Sequence, residues 1–323
     1  MREFAFEQRL CASLERGVDG VIARQLGGGV HSARRVLDVV VVEPGPAFDD
    51  RAAITERTIP HRAIESDVGR GRSRDWRGAF DLPAERARDI VERAVDVGFF
   101  ERDPRAGAEH VRQACRYPAE WFDSLVAVEN KPDLGTPGDL ETQLLKDVRL
   151  GLVDEVVLAT ASHVTRAHLN RIPDAVGVWR FDPETLDRTV VRESTPLDVD
   201  AFGTELVEEH PGWTEVRLAT PTAKAQARRR LAERAYGKGW RVDEFPGCAR
   251  VRDEAVAGGG GLPHCEWKGR VVDPGNECGP DCPGFEESEQ PSVDVAGERD
   301  RRTGWVAEPD GRASRQSGLD RFG

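Results

Sequence analysis

The stretch 125-LVAVENKPDLG-135 passes from an apolar, strand-like run into a glutamate, an asparagine and a lysine. Side chains alternate along a strand, so Glu129 and Lys131 project from one face and Asn130 from the other. The lysine stands out because the chain has only five: Lys131, Lys146, Lys224, Lys238 and Lys268. A strand end is where chemistry gathers in open α/β sheets.

Upstream, 36-VLDVVVVEPG-45 is a second β-branched run, ended by Pro and Gly. Apolar on both faces, it suits an interior strand of a sheet covered on both sides. Asp38 lies within it, and a carboxylate buried there without a partner would cost several kcal/mol. Before it, residues 3–16 place Phe6, Leu10 and Leu14 at helical spacing, and the glycines at 27–29 break the chain. After the 125–135 stretch come GDLETQLLKDVRLGL as a helix, DEVVLAT as a strand, AHLNRI as a short helix and VGVWRFD as a strand. That rhythm implies right-handed crossovers and a parallel pair.

Residues 46–80 read as irregular, 83–97 as a helix closing at Gly98, and EHVRQACRY as alternating. A helix followed by a hairpin resembles the recognition helix and wing of a winged helix. The expected organisation is an α/β core from 1–45 and 125–200, a winged-helix-like insertion at 46–124 and a basic helical segment at 201–245. A Cys-rich segment at 246–285 and a disordered acidic tail at 286–323 complete it.

The chain has 323 residues and a formal charge of −12. Acid-rich composition with Arg favoured over Lys resembles proteins of extreme halophiles. An acidic total argues against phosphate contacts in general. In molar salt, with a Debye length of about 3 Å, local basic patches matter more. No apolar run reaches the roughly 20 residues of a membrane span. The charged N-terminus lacks the apolar core of a signal peptide. A cytoplasmic protein is expected, with its six cysteines as thiols or metal ligands.

Two carboxylates from adjacent strands form a half-cage for Mg²⁺, which takes one or two protein carboxylates and fills its shell with water and phosphate. A compact ammonium beside them offsets charge developing on the phosphate, whereas arginine would clamp it. On these residues the chain resembles the PD-(D/E)xK nuclease superfamily. The order matches: a leading helix, Asp38 in a strand, Glu129-Asn130-Lys131 in the next core strand, then a helix and a strand. The resemblance covers about residues 3–181 and implies a restriction-endonuclease-like mixed sheet flanked by helices. It implies Asp38 and Glu129 holding Mg²⁺ or Mn²⁺, and Lys131 serving the attacking water. It also implies Gln143 from the following helix, and Glu7 from the leading helix with Glu15 in reserve. Leu37 stands where that family has proline, Asp147 stands where RecB-like members have tyrosine, and the span from Asp38 to Glu129 is long. The opening EFAFE…CASLE…ARQLGGGVHSARRVLDVVVVEPG also resembles a haloarchaeal family with no activity attached.

Cys248, Cys265, Cys278 and Cys282 fit a closed structural Zn²⁺ site, with an iron–sulfur cluster or free thiols as alternatives. His264 could replace one of them; Cys11 and Cys115 read as core residues. Along 224-KAQARRRLAERAYGKGWR-241, Arg228, Arg230, Arg234 and Lys238 form the expected phosphate-tracking surface. The loop GRGRSRDWRG at 69–78 is a second candidate. The expected function is hydrolysis of DNA phosphodiesters, in repair or defence, with RNA open as a substrate and a homodimer as an assembly. The alternative is a non-catalytic DNA-binding or regulatory protein with a nuclease-like fold and structural zinc.

Overall fold

The structure is a computed structural model that describes residues 2–32, 34–135, 138–256 and 259–310. In chain order it opens with α1 (Glu3–Glu15), β1 (Val21–Gly27) and β2 (Val36–Pro44). There follow α2 (Phe48–Ala52), α3 (His61–Ile64), β3 (Arg74–Asp75), α4 (Ala84–Asp96), β4 (Phe100–Arg102) and β5 (His110–Gln113). Next come β6 (Phe122–Asn130), α5 (Leu140–Leu150), β7 (Glu155–Thr160), α6 (Arg166–Leu169), β8 (Gly177–Phe181) and β9 (Arg188–Arg192). The chain continues with β10 (Gly203–His210), β11 (Trp213–Ala219) and α7 (Pro221–Lys238). It closes with β12 (Val251–Val256), β13 (Gly259–Cys265), β14 (Arg270–Val271), α8 (Pro274–Glu277) and α9 (Val295–Arg302).

The first of two compact units comprises residues 1–44 and 122–305. Its six-stranded sheet has the order β1-β2-β6-β7-β8-β9. β2 runs antiparallel to both of its neighbours, β1 and β6, while β6, β7 and β8 are parallel, so the sheet is mixed. The β-branched runs explain its interior: Val39 and Val41 of β2 and Val126 and Val128 of β6 pack in one cluster with Phe6, Leu10 and Leu14 of α1. The alternate residues, Val40, Val42, Leu125 and Ala127, are buried on the opposite face. There α7 packs on β1, β2 and β6, and α5 packs on β7.

The Cys-rich segment is not a free-standing finger. Val256, Leu262 and Val271 join the cluster built on α1, so apolar burial anchors the β12-β13-β14 sheet. The expectation of disorder from 286 onward is corrected as far as residue 310. Asp294 caps α9, Arg299 lies over the Trp305 ring at 4.5 Å, and Trp305 is buried. Residues 311–323 lie outside the described residues. Among the described residues no helix is long and apolar enough to cross a membrane.

The second unit contains residues 45–121. The polar 46–80 stretch, read as irregular, contributes Ile54, Ile59, Ala63, Val68 and Trp76 to a core shared with Val91 of α4 and Phe100 of β4. Its three short strands have the order β3-β5-β4. α4 ends where Gly98 takes φ +72°, a left-handed conformation that suits glycine.

Candidate active site

Strand register brings the two acids together. Val39 pairs with Val128 and Val40 with Ala127 across β2 and β6. Extended by one residue beyond the last paired position, that register sets Asp38 opposite Glu129, on the same sheet face as Val40 and Ala127. Opposed residues of an antiparallel pair have Cβ atoms about 5 Å apart. Asp38 Oδ2 accepts from the Asn130 backbone N–H at 3.0 Å. Asp38 also lines a cleft of about 490 Å³ together with Gln143 and Lys146 of α5 and Glu208 of β10.

Burial pushes the Asp38 carboxyl up to about 7, and the neighbouring Glu129 charge adds to the shift, with Glu7 contributing further. Burial also raises Glu129, against the opposing pull of Arg35. Arg35 binds both acids around it. Its Nη2 donates to Glu129 Oε2 at 2.8 Å and to Asp147 Oδ2 at 2.6 Å, and its Nε donates to Asp147 Oδ1 at 2.8 Å. Asp147 is thus the counter-ion that holds this guanidinium over the sheet.

Glu7 is placed differently from the expectation. It sits on the α1 face of the sheet, 3 % exposed, and its carboxylate is already claimed by three donors. Arg24 Nη1 donates to it at 2.7 Å, Gln25 Nε2 at 2.8 Å and Asn130 Nδ2 at 2.7 Å. It ties α1 to the ends of β1 and β6, and its charge reaches Asp38 without facing the cleft. The reserve acid Glu15 is paired with Arg241 at 2.6 Å.

Gln25 connects the two faces. It lies opposite Asp38 at the point where the β1–β2 ladder is interrupted, with φ +53°. A left-handed glutamine costs of order 1–3 kcal/mol and persists only where surroundings over-determine it. Here Lys238 Nζ donates to the Arg24 and Gln25 carbonyls at 2.8 and 2.9 Å, holding that backbone in place. The Gln25 amide points toward Asp38 Oδ1, 3.4 Å away. The backbone N–H of Lys131 donates to the Ala159 carbonyl at 2.9 Å, carrying the parallel ladder one residue beyond β6.

The donor set fits a hard divalent cation at Asp38 and Glu129, with water and substrate completing the shell. The carboxylates of Glu7, Asp38 and Glu129 are close enough to repel, though they do not all converge within 4.8 Å. Among the described residues the trio that does is Glu208, His210 and Glu215, on the β10–β11 hairpin. Cys248, Cys265 and Cys278 pack in one small cluster. Burial pushes the Cys278 thiol up to about 11, and the charges of Cys265, Cys248 and Cys282 add to it. Four thiols in one neighbourhood are a soft donor set that fits Zn²⁺, although no three of their sulfurs lie within 4.8 Å of one another.

The model of a family of unknown function, DUF5787, matches residues 21–287. The chain belongs to that family. No curated protein and no solved structure matches it. The match covers Asp38, Glu129, Lys131, Gln143 and all four clustered cysteines of this DUF5787 chain, and leaves Glu7 outside.

The basic helix is corrected. Arg228 is buried, donating to the Leu152 carbonyl at 2.9 Å and to Asp154 at 2.7 Å. Arg230 reaches the Gly29 and Val30 carbonyls at 3.5 and 3.4 Å. The Arg234 guanidinium lies against Gly27. Lys224, 0 % exposed, donates to the Asp198 and Ala201 carbonyls at 3.1 and 3.0 Å. Together with Lys238, the cations Lys224, Arg228 and Arg230 hold α7 to neighbouring carbonyls, while Arg234 is exposed and forms no hydrogen bond or ion pair among the described residues, so the expected row does not act as one outward face. Sequence reasoning missed Arg35, Asp147, Arg24 and Gln25. The available signal was the arginine pair at 34–35 immediately before the strand that carries Asp38.

Proposed function

We propose that this chain is a metal-dependent nuclease that hydrolyses DNA phosphodiesters. The observation that carries the reading is the placement of Asp38 opposite Glu129 on one sheet face. Burial, with the Glu129 charge adding to it, pushes Asp38 up to about 7, and Asp38 lines a cleft shared with Gln143. The order α1-β1-β2-β6-α5-β7, with three antiparallel strands followed by a helix and a parallel strand, supports the restriction-endonuclease-like reading.

A divalent cation held by Asp38 and Glu129 would polarise the phosphodiester and acidify a water. Arg35 and Asp147 hold the Glu129 carboxylate in place, leaving its second oxygen for a ligand. Lys131 would offer an ammonium to the charge building on the phosphate, and Gln143 an amide to the same group. Asn130 and Gln25 orient Asp38 through the hydrogen bonds described above. The four cysteines would hold a structural Zn²⁺ that fixes the β12-β13-β14 sheet.

The test is cleavage of a labelled DNA in molar KCl with Mg²⁺ or Mn²⁺. Wild type should cut, while Lys131→Ala and Asp38→Asn should each lose about 100-fold or more. Equal activity in all three would end the reading. A second reading, non-catalytic DNA binding, draws on Arg35, which already neutralises much of the charge at Glu129 and Asp147. Isothermal titration separates them: the nuclease reading requires Mn²⁺ binding that Asp38→Asn removes.

A further inference from the structure

Unit two differs from the rest of the chain in its charge. Residues 45–121 hold fourteen arginines, no lysine and fifteen acids, whereas the whole chain carries a net −12. The acids along its sheet are already engaged. Asp67 pairs with Arg74, Glu101 with Arg112 at 2.7 Å, and Glu109 with Arg77 at 3.0 Å. Asp103 accepts from the Ser73 hydroxyl, which with the backbone N–H groups of Ala106 and Arg105 holds its carboxyl below the usual range.

Outside α4, four exposed arginines remain over: Arg70, Arg72, Arg105 and Arg116. Among the described residues none of them forms an ion pair or a side-chain hydrogen bond. The topology gathers them along one edge. The Gly69 carbonyl accepts from Gln113 N–H at 3.0 Å, and Arg70 bridges to Gln113. The Arg70 charge reaches the Cys115 thiol, next to Arg116. The Ser73–Asp103 bond ties the loop bearing Arg70 and Arg72 to the β4–β5 turn bearing Arg105.

The outward side of α4 offers no such surplus. There Glu92 and Asp96 pair with Arg102 and Arg57, Arg88 lies over the Trp76 ring, and the exposed Arg86 and Arg93 are matched by the exposed Glu85 and Asp89. With most of α7's cations engaged in packing and, among the described residues, only Arg234 of that helix exposed and unpaired, we propose that the nucleic-acid contact surface of this protein is the arginine edge Arg70, Arg72, Arg105 and Arg116. It would track the phosphates of duplex DNA without inserting α4 as a reading helix. This deepens the nuclease reading by naming the substrate-holding surface, and it rests on that reading only for the choice of nucleic acid.

The experiment is fluorescence anisotropy of the full chain with a labelled duplex of about 20 base pairs, in EDTA, across a KCl series. Binding is read without cleavage, so the two proposals fail separately. Replacing the four arginines by alanine should weaken binding about tenfold or more. It should also flatten the slope of log affinity against log salt by about 3 to 4, close to one per lost phosphate contact. The same four positions as lysine should restore most of the slope. An unchanged thermal midpoint in both variants shows that the fold is intact. No duplex binding by wild type, an unchanged slope in the alanine variant, or a loss seen with single-stranded DNA alone would each overturn the inference. Duplex binding with no cutting would overturn the nuclease proposal and leave this one standing.

Discussion

Asp38 is held by forces that oppose each other at neutral pH. Its folded carboxyl sits at about 7, above the ordinary carboxylate value, because burial and Glu129 disfavour its charge. Its contribution to stability is therefore complete below about pH 4 and is lost as pH rises through about 7. A cation bound to the ionised pair would offset that loss. The thermal midpoint of chelator-treated protein should fall between pH 6 and 8, and Mn²⁺ should raise it more at pH 8 than at pH 6. Asp38→Asn should flatten both responses in the same melts, and a Mn²⁺ shift that survives the substitution would place the cation elsewhere. Arg35 carries the complementary risk. Replacing it by methionine strands Glu129 and Asp147 without their cation. Chemical denaturation at pH 8 should show a loss of about 3–5 kcal/mol.

At the scale of elements, α7 has the composition of a nucleic-acid helix and the position of a structural one. Arg228→Ala leaves Asp154 without its partner and should cost about 3 kcal/mol in denaturant melts, with the salt slope of DNA binding unchanged. The β2 and β6 strands were legible because both are β-branched runs bounded by turn residues. So was α5, whose apolar face Leu140, Leu144 and Leu150 is buried. β1 was not, because Arg24 and Gln25 interrupt its alternation with side chains that serve Glu7. The pairing of Asp38 with Glu129 could be guessed from their strands, but the register that makes them face each other could not. Arg35 escaped notice because its reach past Val36 to Asp147 depends on where α5 lies. The Cys-rich segment misled through its glycines and prolines, which hid Val256, Leu262 and Val271. Given that apolar anchorage, if the cysteines hold zinc as proposed, chelation should remove it by metal analysis while lowering the thermal midpoint by only a few degrees. Full unfolding on chelation would mean the anchorage is insufficient.

On the scale of the whole molecule, the insertion enters and leaves the sheet at one place. Pro44 of β2 pairs with Phe122 of β6, and within the second unit Gly45 N–H donates to the Trp121 carbonyl at 2.9 Å. Residues 45–121 can therefore be exchanged for a short Gly/Ser turn. The remaining protein should keep Mn²⁺ binding by calorimetry while losing most duplex affinity. The same geometry has a kinetic side. Closing an unstructured loop of 77 residues costs about 4 kcal/mol in chain entropy beyond a constant. A folded insert presents its two ends already together and removes most of that barrier. The β2–β6 pair would then assemble on the timescale of a tight turn only after its passenger has condensed. Loosening the Trp76 core of the second unit should delay, in stopped-flow refolding, the meeting of the two carboxylates in the first.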